Sequence, residues 1–120
     1  MAKHIDLGKS GEQVAYNFLV KKGYKILHRN WHYKHKEIDI IAEKDDMLVI
    51  VEVKIRSVDY FELPHEAVTK KKQRFIIDAT DAYIQEYDIN KEVQFDIISI
   101  IPVGKTNKIE HIEDAFTPIF

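Results

Sequence analysis

The stretch that decides the fold is KEIDIIAEKDDMLVIVEVKIR, residues 36–56. Apolar residues alternate on either side of a polar centre, which predicts a β-hairpin. In the second arm Leu48, Ile50, Glu52, Lys54 and Arg56 share one face, and Val49, Val51, Val53 and Ile55 the other. In the first arm Glu37, Asp39, Ile41 and Glu43 share a face, with Ile38 and Ile40 opposite. Each arm therefore has one apolar face and one mixed face.

A turn centred on Asp45 and Asp46 sets Lys44 against Met47. Extended along the arms, that register sets Asp39 against Glu52 and Glu37 against Lys54. Residues so opposed share a face, with Cβ atoms about 4.5–5.5 Å apart. Two carboxylates at that spacing repel unless positive charge lies between them. A divalent cation supplies it, and oxygen-only ligation suits Mg²⁺ or Mn²⁺. Lys54, two residues from Glu52, is placed to orient a water or to offset charge on a phosphate. Its alternative is a Glu37–Lys54 surface ion pair worth roughly 0–1 kcal/mol. The isoleucines around Asp39 and the valines around Glu52 and Lys54 are costly surroundings for charge, which favours a site.

The rest of the chain gives this hairpin a setting. Its 120 residues favour one domain, 1–120, large enough for a core without staples. A hydrophobic content of 45% against 32% charged residues predicts a folded chain. No cysteine is present, which excludes disulfides, thiol catalysis and cysteine zinc sites. That composition, with neither an apolar leader nor a run long enough to span a bilayer, fits a cytoplasmic protein. The net charge of −2 is not that of a typical DNA-binding domain. The charge is uneven, however: residues 1–36 are basic, as is the run Lys70, Lys71, Lys72 and Arg74. Those patches read either as solvated faces or as phosphate contacts beside an acidic pocket.

Residues 7–22 read as a helix, with Ser10 as N-cap and Gly23 just past its end. YKILHRNW is a short strand. LPHEAVTKKKQRFIIDATDAYIQEY is a second helix with Pro64 near its first turn. EVQFDIISII is a buried strand and KIEHIEDAF a last edge strand. The predicted class is α/β, an αβββαβ core whose central mixed sheet is flanked by helices. The helical crossover makes the third and fourth strands parallel.

EID followed by VEVK resembles the signature of the PD-(D/E)XK nuclease-like fold. More narrowly, GKSGEQVAYNFLVKKGYKIL, RNW, EIDIIA, LVIVEVKIRS and QFDIISI resemble the bacterial family of uncharacterised proteins UPF0102, or YraN-like, over nearly all of the chain. The resemblance implies a restriction-endonuclease-like core related to archaeal Holliday-junction resolvases. It maps Glu12 onto the helix-one acid, Asp39 and Glu52 onto the metal-binding acids, and Lys54 onto the catalytic lysine. The chain departs from the family pattern at Lys36, Ile55, Glu62 and Gln94, where loop shape and substrate contacts are affected more than the metal site.

Several residues carry two readings each. Glu12 suits either the helix dipole, at about 0.3–1 kcal/mol, or a metal-site role. Lys72 lies on the stripe Val68, Phe75, Ile76, Ala79 and Tyr83, where it either snorkels to solvent or reaches a phosphate near Glu52. His28, His32 and His35 raise a zinc reading, against which solvated or DNA-facing histidines weigh more. Trp31 and Tyr33 stack on bases or pack at an edge. Asp96 reads first as a helix cap or structural pair, then as site support.

The expectation is thus a Mg²⁺- or Mn²⁺-dependent deoxyribonuclease. Glu12, Asp39, Glu52 and the Val53 backbone carbonyl would hold the metal, Lys54 would position water, and Arg56, Lys70, Lys71, Lys72 and Gln73 would contact nucleic acid. A two-fold substrate such as a DNA junction would require a homodimer. The alternative is a catalytically silent nucleic-acid-binding module of the same fold. No membrane partner is expected.

Overall fold

A computed structural model describes residues 7–56 and 68–117, with side chains from Gly11 onward. The elements are α1 (Leu7–Lys21), β1 (Lys25–Tyr33), β2 (Lys36–Lys44), β3 (Met47–Ile55), α2 (Lys70–Tyr87), β4 (Glu92–Val103) and β5 (Thr106–Ile112). The strands form one five-stranded sheet in the order β1-β2-β3-β4-β5. All neighbours are antiparallel except β3 and β4, which α2 joins and which run parallel. The α/β class and the mixed sheet are those expected from the residues. Among the described residues no helix is long and apolar enough to cross a membrane.

Two apolar layers lie on opposite faces of the sheet. On one, Ala15, Leu19 and Tyr24 from the α1 side pack with Ile40, Ala42, Val49, Val51, Ile98 and Ile100. On the other, Ile76, Ala79 and Tyr83 of α2 pack with Ile38, Ile41, Leu48, Ile50, Phe95 and Ile97. Each fully buried Leu or Ile stabilises the fold by about 1.5–3 kcal/mol. Gly11 lets α1 sit close to β3, because a Cβ there would lie 2.2 Å from Ile55 Cδ1 and 2.6 Å from its Cγ1.

The β2–β3 turn is the one predicted. Asp45 and Asp46 have φ of 50° and 66°, and Lys44 pairs with Met47. This is the left-handed two-residue turn that matches the twist of a hairpin, and aspartate tolerates it. Gly23, at φ 94°, ends α1 where expected: the Tyr24 N–H donates to the Leu19 carbonyl and the Gly23 N–H to that of Val20.

Three expectations need correction. Ser10 does not cap α1: the helix already runs at Leu7. The second helix starts at Lys70, not Leu63, because the Thr69 side chain accepts the Lys72 N–H and sets the N-cap there. Val68 is buried but precedes the helix, while Glu62 and Pro64 lie outside the described residues. Ile38 does not share a face with Ile40, for it packs in the α2 layer and Ile40 in the α1 layer. The strict alternation of β2 therefore breaks at Asp39.

Candidate functional site

That break positions the site. The register from Lys44↔Met47 to Ile40↔Val51 is the predicted one, but the regular pairing of β2 with β3 stops there. Beyond it the Val53 N–H donates to Asp39 Oδ2 at 2.8 Å, in place of a ladder carbonyl. The neighbouring strand is irregular at the same level. Between Arg29↔Ile40 and Trp31↔Ile38, Asn30 adopts φ 50° opposite Asp39. Asparagine tolerates that conformation better than most residues.

Asp39 stands within hydrogen-bonding and coulombic reach of Glu52. Burial first, and then the Glu52 charge, push the Asp39 carboxyl up to about 8, while the Val53 N–H and Lys72 act in the opposite sense. Glu52 is buried, and Lys72 Nζ lies 3.2 Å from its Oε2. Lys72 thus reaches Glu52 itself, a contact that neither of its two readings named, because the first turn of α2 hangs over the open end of β3. Glu52, Val53, Lys54, Val68, Thr69 and Lys72 line a cavity of about 260 Å³.

Glu12 approaches from α1. It lies in the second helical turn, where the dipole is weak, so the helix-dipole reading of this acid loses its basis. Asn30 Nδ2 donates to Glu12 Oε1 at 2.9 Å. Burial raises the Glu12 carboxyl above its usual range; Asn30 lowers it in part, and the charges of Asp39 and Glu37 raise it further. The acid thus stands within electrostatic reach of Asp39, held by a neighbour that sequence reasoning passed over. Asn30 had left a signal, since asparagine is depleted in strands.

The other predicted residues are distributed more widely. Glu37 pairs with His32 at 3.1 Å rather than with Lys54, because β2 has already left β3 at that level. Gln73 Nε2 donates to the Val68 carbonyl at 3.0 Å, closing the start of α2. Lys70 and Lys71 are exposed, and the Arg56 N–H donates to the Ile100 carbonyl at 2.9 Å. His28 Nδ1 is hydrogen-bonded to the Tyr83 hydroxyl at 2.8 Å and packs between Tyr83 and Tyr87, so it is not a solvated histidine.

Asp96 is a structural pair, on the α1 face and away from Glu52. Its carboxylate accepts from His111 Nε2 at 2.7 Å, and from Gln94 Nε2 and the Asp114 N–H at 2.9 Å each. It caps the turn after β5 rather than a helix.

Among the described residues no three His, Asp or Glu side chains converge closely enough to enclose an ion. The donor set is instead the Asp39–Glu52 pair beside an open cavity. Such a set fits Mg²⁺, which is commonly held by one or two carboxylates and otherwise by water and phosphate. The poor neutralisation of Asp39 is the second observation that fits a cation.

Comparison with known proteins agrees with these motifs. The profile described as "Uncharacterised protein family UPF0102" matches residues 11–100. A UPF0102 protein of Parabacteroides distasonis is 49% identical, over 97% of this chain and 96% of its own length. Another from Phocaeicola vulgatus is 48% identical over 98% of each chain. One from Flavobacterium psychrophilum is 48% identical, over 97% of this chain and 98% of its own length.

Proposed function

This chain belongs to the uncharacterised protein family UPF0102, and we propose that it is a metal-dependent nuclease that hydrolyses phosphodiester bonds in DNA. The observation that carries the reading is the approach of Asp39 to Glu52, which lines a cavity together with Lys54 and Lys72. A carboxyl pushed up to about 8, first by burial and then by the Glu52 charge, would gain from a cation beside it. Asp39 and Glu52 would hold Mg²⁺ or Mn²⁺, with the Val53 carbonyl as a further ligand and Glu12 reaching the ion through water. A cation so held supplies charge stabilisation to the pentavalent phosphoryl group and acidifies water.

The chain's own residues do the rest. Lys54, beside Glu52 in the cavity, orients the attacking water. Lys72, which pairs with Glu52 here, would be free to contact a phosphate oxygen if a cation took over that carboxylate. Lys70 and Lys71, exposed in the same turn of α2, steer the nucleic-acid backbone.

A second reading is a silent nucleic-acid-binding module. It is favoured by the absence of a three-acid cluster among the described residues, and by Lys72 already occupying Glu52. A cleavage panel of single-stranded, duplex, flap and junction DNA in Mg²⁺ separates the two. Cleavage by the wild type that is lost in Glu52→Ala and Lys54→Ala supports the nuclease. A wild type that binds DNA but cleaves none of the panel points to the module. Calorimetry with Mg²⁺ and Mn²⁺ tests the pocket directly, and equal binding by Asp39→Ala would sink the metal assignment.

A further inference from the structure

From the α2 side of the sheet we infer that an aromatic ledge beside the carboxylates holds unstacked bases, so that the ligand class is single-stranded nucleic acid. This rests on the nucleic-acid reading above and narrows it. From Glu52 the path runs to Lys72 at 3.2 Å, whose Nζ lies 5.6 Å from the centre of the Phe75 ring. Phe75 is 6.0 Å from Tyr33, and Tyr33 is 6.4 Å from Trp31 with ring planes only 7° apart. Trp31, Tyr33 and Phe75 all pack against the α2 core layer, and each remains partly open to solvent.

Cations accompany the rings. Lys36 Nζ lies 5.5 Å from the Phe75 ring and Lys34 Nζ 5.2 Å from that of Tyr33. Both lysines sit at the tight β1–β2 turn, where Lys34 has φ 58° and Tyr33 pairs with Lys36. Among the described residues, Lys34 and Lys36 meet aromatic rings and no carboxylate. An exposed cation–π contact is worth only about 0.5–1 kcal/mol, too little to account for a shared row of cations by stability alone.

The parallel Trp31 and Tyr33 rings and the Phe75 ring, tilted 45° to Tyr33, are interleaved with ammonium groups and match the two parts of a single strand. Bases stack on the rings and phosphates meet the lysines. A duplex keeps its base faces within its own stack and cannot use the ledge. The path leads to Glu52, so a strand lying on it would run toward the carboxylate pair.

Trp31 is the only tryptophan, which makes it a built-in reporter. The full chain would be titrated in EDTA with an oligo-dT and an oligo-rU of about 12 nucleotides, and with a blunt duplex of like length. Saturable quenching of Trp31 by the single strands, with far weaker binding of the duplex, is expected. In anisotropy with a labelled oligo-dT, Tyr33→Ala and Lys36→Ala should each weaken binding about five- to tenfold, with circular dichroism unchanged. Phe75→Leu, which preserves apolar packing, should do the same. Equal affinity for duplex and single strand, or unchanged affinity in both Tyr33→Ala and Lys36→Ala, would overturn the ledge. EDTA separates this outcome from the nuclease reading. Cleavage in Mg²⁺ without quenching removes the ledge alone, and quenching without cleavage removes the nuclease alone.

Discussion

The Val53 N–H donates to Asp39 Oδ2 at 2.8 Å at the level where β2 parts from β3. The bond holds a carboxylate at the sheet end, facing Glu52, instead of letting the hairpin zip closed. Most of the chemistry open to this fold depends on that one substitution of side chain for backbone.

Asp39 should make the metal-free protein less stable as pH rises. Its folded carboxyl titrates at about 8, whereas an unfolded aspartate does so near 3.9. The folded state therefore holds a proton that the unfolded state has released. The stabilisation is complete below about pH 4 and is lost as pH rises toward 8. Asp39→Asn should flatten that slope and raise stability at pH 8 by at least about 1 kcal/mol, a gain of several degrees in Tm. The same substitution should abolish Mg²⁺ binding. Wild-type affinity for Mg²⁺ should climb with pH until about 8, because binding displaces the proton. Melting curves in EDTA and calorimetry across pH check both.

Lys72 competes with any cation for Glu52, since its Nζ is already 3.2 Å away. Lys72→Met should lower metal-free stability, leaving a buried carboxylate with one partner fewer. It should also tighten Mn²⁺ binding about fivefold, equivalent to about 1 kcal/mol. Calorimetry and thermal melts on the same preparation read both signs.

Gly11→Ala should destabilise the protein although it improves helix propensity. The propensity gain is at most about 1 kcal/mol. Against it stands a Cβ placed 2.2 Å from Ile55 Cδ1, an overpacking cost of typically 1–3 kcal/mol. Adding Ile55→Ala should recover part of the loss, which makes the pair non-additive. Urea titration of the two single variants and the double variant is the measurement.

Asp96→Asn should cost about 2–4 kcal/mol without weakening metal binding. Lys22 Nζ lies 2.9 Å from His111 Nδ1. An ammonium only donates, so Nδ1 accepts and the Nε2–H donates to Asp96. An asparagine cannot accept from His111, Gln94 and the Asp114 N–H together as the carboxylate does. Loss of Mg²⁺ affinity parallel to the loss of stability would show that the two faces are coupled.

The residues alone determined the order of helices and strands, the Asp45–Asp46 turn and the register through Ile40↔Val51. Those properties are local, because a period of two and a two-residue turn leave one pairing open. The same pattern placed Asp39 and Glu52 on neighbouring strands, and it made β3 and β4 parallel through the need for a crossover. Only the tertiary structure decided that β2 departs at Asp39, that Asn30 holds Glu12, that Lys72 covers Glu52 and that His111 closes on Asp96. Each of these joins segments far apart in the chain. The Asn30–Glu12 and Lys72–Glu52 contacts depend on how α1 and α2 lie on the sheet, which is set by the close approach at Gly11 and the N-cap at Thr69 and not by local periodicity.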